Sequence, residues 1–295
     1  MKKMPLVPPA SAIILALLLF PLAFAAQKGS ADKAQQQPAA QGSTTPPTRR
    51  PPQAKTQQEY ADYNIAYAIS GGATMEKAAS DFDAKYPASE LRSLLYSKAM
   101  HEYQNENNPA KMQAMGEKIL TLDPDNSIAL VLTATVLADS LNDADKDHEQ
   151  KINEILKNSN HALQTIDAAF VAPQGATPEQ IAAYKSTLQS MAHSALGIME
   201  LKIGDDPGAE KDLKTAADLN KTQPDPYIWY HLALAQDHQK KYTEALASVD
   251  QALHYTGSNP DLGKLALGER ERLLKLTSGP SAPPPQPAAT PKVPQ

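Results

Sequence analysis

The apolar side chains between residues 56 and 277 recur at intervals of three and four, as they do from Ala245 through Val249 to Ala252. This spacing is typical of amphipathic helices, and no stretch shows the sustained alternation that predicts a β-strand. The pattern therefore predicts an all-α body. The predicted helices span residues 55–70, 74–86, 90–105, 109–122, 126–140, 147–167, 178–203, 207–220, 226–239, 242–256 and 260–276.

Several of these helices begin with a capping side chain followed by proline. The pairs are Asn108-Pro109, Thr177-Pro178, Asp206-Pro207, Asp225-Pro226 and Asn259-Pro260. The side-chain oxygen accepts hydrogen bonds from the first free N–H groups, and proline fits the first turn because it has no N–H to lose. Thr177 and Gln180 additionally form a capping-box pair. The helix starts are therefore encoded locally.

The helices come in short pairs, and the pairs repeat. The slots of the C-terminal pair are Trp229, Leu232, Ala233, Ala245, Val249 and Ala252. Thirty-six residues earlier the same slots hold His193, Leu196, Gly197, Ala209, Leu213 and Ala216. A looser copy holds Tyr96, Ala99, Met100, Tyr103, Met112, Ile119 and Pro124. Small residues at such slots let two helices approach closely, while large neighbours fill the groove between them.

These slots resemble the signature of the tetratricopeptide repeat (TPR) family, best over residues 229–257 and well over 193–221. A fourth unit, from Leu130 to about Ala162, carries an insertion of about nine residues relative to the usual repeat length. A degenerate first unit, 56–89, ends in a Tyr-Pro-Ala-Ser phrase similar to one in periplasmic TPR proteins of outer-membrane assembly and Tol–Pal-associated type. The resemblance implies a right-handed α-solenoid of about five antiparallel helix pairs. Helix 260–276 would then be a solvating cap, with Lys264, Glu269, Arg270, Glu271 and Arg272 on its polar side.

The resemblance also implies a partner-binding groove lined by the first helix of each pair. For the two best units the groove positions are Tyr227, Tyr230, Leu234, Asp237 and His238, and Met191, Ser194, Ile198 and Leu201. For the Tyr96 unit they are Leu94, Ser97, His101 and Gln104. Tyr227 and Tyr230 are the favoured anchors, since exposed tyrosines give a large contact area. Lateral packing against neighbouring helices is the alternative for both rings.

The two ends differ in composition from the body. Residues 1–25 combine Lys2 and Lys3 with a 15-residue apolar run that ends in Ala23-Phe24-Ala25. This pattern predicts a signal peptide cleaved after Ala25, and an uncleaved membrane anchor is the alternative. Residues 26–55 and 278–295 are rich in proline and lack a packing core, so we expect a disordered linker and tail.

Charge and composition exclude several functions. The net charge is −5, and it is distributed as −12 over residues 56–277 and +4 over the linker, which argues against nucleic acid as a partner. The chain has no cysteine, which excludes disulfides, thiol catalysis and Cys-ligated metals. Asp143, Asp145, Asp147 and Glu154 occupy positions 1, 3, 5 and 12 of an EF-hand loop. His148 stands where that loop needs glycine, so calcium is only a weak candidate.

No phosphate-binding loop, nucleophile elbow or zinc-protease motif occurs, so the sequence predicts a protein without catalytic activity. We expect an exported scaffold, periplasmic or extracellular, that needs no cofactor and binds a protein or peptide partner. Contact with a membrane would arise only through an uncleaved N-terminal segment. The alternatives are a structural, oligomeric subunit of a cell-envelope assembly and, less favoured, a calcium-modulated binding protein.

Overall fold

The computed structural model describes residues 49–277 apart from Gln174 and Ser258, and within this part of the chain all regular structure is helical. The helices are α1 (Gln57–Tyr67), α2 (Gly72–Lys85), α3 (Arg92–Asn105), α4 (Pro109–Leu122), α5 (Ser127–Ser140), α6 (His148–Ala169), α7 (Pro178–Ile203), α8 (Asp206–Leu219), α9 (Pro226–His238), α10 (Tyr242–Tyr255) and α11 (Pro260–Thr277). The prediction of an all-α body is therefore confirmed, and each boundary lies within a few residues of the predicted one.

The capping chemistry explains that agreement. Asn108 Oδ1 accepts from the Lys111 N–H at 3.2 Å at the start of α4. The capping box of α7 is present, with Thr177 and Gln180 bonded in both directions. At α8 the prediction is wrong by one residue, because Asp205 caps the helix and Asp206 is its first residue. Asp205 is better placed, since its carboxylate reaches the Gly208 N–H three residues on.

Successive helices pack as neighbours along the whole described chain. The pairs α3–α4, α5–α6, α7–α8 and α9–α10 are all closely packed, and α5 also lies against α7. This order of helix pairs is consistent with an α-solenoid. None of the helices among residues 49–277 is long and apolar enough to cross a membrane. The predicted signal peptide and the tail from residue 278 lie outside the described residues.

Small residues occupy the helix crossings, as the repeat predicts. Ala209 and Ala216 of α8, and Ala245 and Ala252 of α10, are completely buried. Gly197 of α7 lies so close to α8 that a Cβ atom there would stand 2.7 Å from Leu213 Cγ and 3.1 Å from Leu213 N. The short side chains therefore set the distance between paired helices.

The core consists of three apolar clusters in a row. The first joins α1 to α5 with parts of α6 and α7, the second joins α5 to α9, and the third joins α9, α10 and α11. Helix α5 contributes to the first two clusters, with Leu130 in one and Leu137 in the other. Trp229 and Leu234 of α9 touch both the second and the third. The clusters are thus coupled through shared helices.

The C-terminal end of α5 is held by a lysine from α7. Lys202 Nζ donates to the carbonyl oxygens of Ala138 at 2.7 Å and Asp139 at 2.6 Å. Burial lowers the pKa of this ammonium group. A cation at the last carbonyl groups of a helix is favourable for the helix dipole, so Lys202 fixes α5 against α7.

Two predictions at the ends of the body need correction. Residues 49–55, assigned above to a disordered linker, contact the first cluster through Ala54. The charged residues of α11 do not all face solvent, because Arg270 bonds Asp250 and Arg272 bonds both Asp237 and Glu269. These ion pairs attach α11 to the preceding helix pair, so α11 packs as part of the last unit.

Candidate functional site

A cleft of about 540 Å³ lies at the N-terminal end of the described part of the chain, and we call it the N-terminal cleft. Its walls come from α1, α3, the start of α5 and the segment that follows α6. The residues that matter below are Tyr63, Tyr67, Glu90, Leu94, Ser97, Lys98, Asp123, Ile128 and Phe170. A volume of this size is typical of a ligand site.

Local structure explains how these side chains converge. Leu94 and Ser97 lie three residues apart on α3 and so share one face of that helix. Ile128 stands in the first turn of α5, whose start is fixed by Asn126 Oδ1 accepting from the Ala129 N–H at 3.0 Å. Phe170 ends α6, and its buried ring lies 6.3 Å from the ring of Tyr184 on α7. The cleft therefore joins residues from three successive helix pairs.

One wall of the cleft is formed by the segment that precedes α1. Residues 49–52, Arg-Arg-Pro-Pro, have no regular secondary structure, and we call them the strap; Arg49, Arg50 and Pro52 line the cavity. Arg49 Nη1 donates to Asp123 Oδ1 at 2.6 Å. Arg50 donates through both terminal nitrogens to Glu90, at 2.7 and 2.6 Å. The backbone N–H of Gln53 also donates to Glu90, at 3.1 Å.

The basic residues around the cleft pair with acidic residues of the helical body, whereas two acidic residues pair with the strap. Lys98 is neutralised by Glu102 at 2.8 Å, and Arg92 by Asp83 at 3.0 Å. Glu90 and Asp123, in contrast, form their ion pairs with the strap. The Arg50 guanidinium lowers the pKa of Glu90 to about 2. The cleft thus presents two carboxylate side chains to a cationic segment of the chain.

The structure places two predicted groove residues in this cleft and others elsewhere. Leu94 and Ser97, predicted as groove positions of the Tyr96 unit, line the N-terminal cleft. Met191, Ser194 and Ile198 come together with Gln104 around a second hollow of only about 30 Å³. Met191 and Ile198 are buried there, so they serve packing rather than an open surface. His101 is half-buried on α3, with Nδ1 3.4 Å from Gln104 Oε1.

Asp225 closes the small hollow and is an unusual carboxylate. It caps α9 by accepting from the Tyr227 N–H at 2.8 Å. Burial raises its pKa to about 6. Its single backbone hydrogen bond accounts for its position, so its role is that of a helix cap.

The prediction that Tyr227 and Tyr230 are exposed groove anchors is wrong. Their exposures are 5% and 2%, and both rings belong to the third apolar cluster. Asn259, before α11, donates to the Tyr227 hydroxyl at 2.9 Å. Helix α9 lies between α8 on one side and α10 and α11 on the other, so nearly every face is covered. Lateral packing, the alternative left open by the sequence, is what the structure shows.

The remaining predicted groove residues of α9 are also engaged. Asp237 is ion-paired with Arg272 of α11. His238 Nδ1 lies 2.8 Å from Asp206 Oδ1 of α8. Leu234 packs between the second and third clusters. Trp229, predicted to lie in a core slot, is only partly buried between the same two clusters. The C-terminal unit therefore offers no open groove at these positions.

The weak calcium candidate is not assembled. Helix α6 begins at His148, so the second half of the proposed loop is helical and cannot wrap an ion. Lys151 pairs with Asp145 at 2.6 Å and Asp147 at 3.3 Å, placing an ammonium group beside both carboxylates. Across the described residues no group of three or more His, Asp or Glu side chains is arranged to hold a metal.

The strap and its carboxylates carry no local sequence motif that would identify them as a site. Glu90 and Asp123 lie in turns, and the Arg49–Asp123 bond joins residues 74 positions apart. A signal was nevertheless present in the opposite charges of the linker and the body. Arg49 and Arg50, which precede Pro51 and Pro52 near the end of that linker, are the basic residues that this charge difference would direct toward the acidic body.

Comparison with known proteins adds no family to this description. No protein-family model matches the chain, and no curated protein is significantly similar to it. Fold and site together define the class: an all-helical protein of successive helix pairs, with an acidic-rimmed cleft at its N-terminal end.

Proposed function

We propose that the protein is an exported, non-catalytic scaffold of the TPR type that binds a protein segment in its N-terminal cleft. In this proposal the helix pairs form a right-handed solenoid, as the repeat slots suggest. Export is inferred from the charge, apolar run and small residues of positions 1–25. The partner is accordingly sought in the cell envelope or outside the cell.

The observation that carries the proposal is that a piece of polypeptide without regular structure already lies against the cleft. The strap bonds two side-chain carboxylates, and the next residue, Gln53, adds a backbone hydrogen bond to one of them. Apolar wall residues such as Leu94 and Ile128 provide the uncharged contact surface that an extended peptide needs. A cleft that already accommodates one peptide segment is suited to receive another.

Site-specific photo-crosslinking in living cells tests this function. A photoreactive amino acid replaces Ser97, which lines the cleft, in the full chain. The matched control places it at Lys118, an exposed residue of α4 that does not line the cleft. We expect a crosslinked product with a second protein from position 97 and none from position 118.

The crosslinked partner should disappear when Leu94 is replaced by Glu, because the added carboxylate would be buried against the partner in an apolar wall. Thermal melts followed by circular dichroism establish that this variant folds. Absence of any product from position 97, or equal products from both positions, would contradict the proposed function.

A further inference from the structure

We infer that the N-terminal cleft selects an extended protein segment with two adjacent basic residues followed by proline, and that the strap occupies this site in cis. The strap is thus a competing intramolecular ligand that a partner segment of the same chemistry displaces. This inference rests on the proposed function, because it names the partner class and the regulation of the same cleft.

The requirement for two adjacent basic residues follows from the position of the carboxylates. Asp123 lies in the turn after α4, whereas Glu90 lies in the turn before α3. Arg49 and Arg50 reach these two turns from neighbouring positions in the chain, at 2.6 Å each. A segment with one basic residue would satisfy only one of the two carboxylates.

The prolines fit the site for a second reason. Pro51 and Pro52 have no N–H to satisfy, and their fixed φ favours an extended chain before binding. The first backbone donor after them is the Gln53 N–H, which bonds Glu90. A proline pair thus holds the chain extended between the arginine and the next polar contact, which lowers the entropy lost on binding.

The site is acidic once the strap is set aside. The nearby cations Lys98 and Arg92 are neutralised by partners within the folded body. The strap supplies the positive charges that Glu90 and Asp123 face. Over residues 56–277 the formal charge is −12, so the surrounding field also favours a cationic occupant.

The strap is held weakly enough to be exchanged. The Arg50–Glu90 pair is 62% and 41% exposed, and the Arg49 side chain is 46% exposed. Exposed ion pairs of this kind contribute little to stability, because water screens both charges. Because the strap is covalently attached, the apparent affinity for a partner is the intrinsic affinity multiplied by the fraction of time that the strap leaves the cleft free.

A titration with the chain's own segment in trans tests the inference. The probe is a fluorescein-labelled peptide of residues 45–55, Thr-Pro-Pro-Thr-Arg-Arg-Pro-Pro-Gln-Ala-Lys. Its anisotropy is followed against the full wild-type chain and against the Arg49→Ala, Arg50→Ala variant. We expect the variant to bind the peptide about tenfold more tightly, since two exposed ion pairs correspond to about one decade of affinity.

Adding Glu90→Gln and Asp123→Asn to that variant should weaken peptide binding about tenfold, because both charged acceptors are lost. A control peptide with both arginines replaced by alanine should bind about tenfold more weakly to the unblocked variant. Circular dichroism melts confirm that each variant is folded.

The inference fails if the unblocked variant gains no affinity, or if the alanine control peptide binds as well as the arginine peptide. Binding of the strap within its own chain is also contradicted if light scattering shows that the wild-type protein is a dimer and the Arg49→Ala, Arg50→Ala variant a monomer. The strap would then bind the cleft of a second copy. If the peptide does not bind while the crosslink from position 97 persists, only this inference is wrong. If both are absent, the proposed function itself is wrong.

Discussion

At the scale of single residues, the crossing of α7 and α8 at Gly197 leaves no room for a methyl group. Gly197→Ala would place a Cβ 3.2 Å from the Ala209 carbonyl oxygen and 3.1 Å from Leu213 N, both backbone atoms that cannot turn away. We expect a loss of about 1–3 kcal/mol in the free energy of unfolding, as is usual for overpacking. Urea denaturation measures this loss.

The matched control is Gly263→Ala in α11, where an added Cβ meets no atom within 4 Å. Alanine is the better helix former by about 0.5–1 kcal/mol, so this change should stabilise the protein. A similar effect of both substitutions would show that backbone crowding at Gly197 is not the cause.

A second residue-scale prediction concerns pH. Burial, assisted by Asp212 and Asp205, raises the pKa of Glu200 from its ordinary 4.5 to about 7. The folded state therefore holds this proton more tightly than the unfolded state, and the associated stability is lost as the pH rises from about 4.5 through 7. Glu200→Gln should stabilise the protein increasingly between pH 5 and pH 8. Denaturant titrations of both proteins across this range measure the difference, and a pH-independent difference would contradict the assignment.

At the scale of helices, the last three helices share one buried layer. Tyr230→Ala removes a ring that is only 2% exposed and that packs in the third cluster. We expect destabilisation of about 3–5 kcal/mol, the usual cost of removing a buried aromatic side chain. The control Tyr230→Phe keeps the ring and should retain most of the stability. Thermal melts compare the two, and a mild effect of the alanine variant would restore Tyr230 as an exposed anchor.

The helices themselves could be predicted because their signals are local. Caps such as Thr177 and the three-and-four spacing depend on residues within one or two turns of each other. The orientation of α9 could not be predicted in the same way. Tyr227 and Tyr230 of α9 could lie either in a core or at a surface, because a tyrosine ring is apolar and its hydroxyl is polar. Both rings are covered because α11 packs against this part of α9. The spacing of small residues correctly predicted where α7 crosses α8 and where α9 crosses α10, because closely packed helices need small side chains at the point of crossing.

The cleft was beyond prediction for a related reason. Leu94 and Ser97 were expected only as groove positions implied by the family resemblance, and Glu90, Asp123 and Phe170 lie at helix ends with no repeating pattern. Contacts such as Arg49–Asp123 depend on how three helix pairs are arranged in space. Charge complementarity between the linker and the body is a property of composition and does not by itself identify the residues that meet.

At the scale of the whole molecule, the large exposed apolar residues are dispersed. Within residues 49–277, as far as the structure describes them, they are Ile65, Leu156, Ile203, Tyr255, Leu267 and Leu276, on five different helices. Leu267 and Leu276 of α11 are nine residues apart and so lie on opposite faces of that helix. Stable homodimers usually bury a contiguous apolar patch. We therefore predict a monomer by size-exclusion chromatography with light scattering, and a concentration-independent dimer mass would favour a structural, oligomeric role.

The anchoring of α5 bears on how the cleft meets its occupant. Ile128, in the first turn of this helix, lines the cleft. At the other end of the helix, Lys202 of α7 donates hydrogen bonds to two of the last carbonyl groups. Most of its side chains are buried in two adjacent clusters, so it cannot tilt without disturbing both. The wall that α5 forms is thus preorganised, and a ligand can bind in the cleft without moving this helix. Differences in affinity among cleft ligands should then appear mainly in how long each stays bound, with association rates set by diffusion, charge and the departure of the strap.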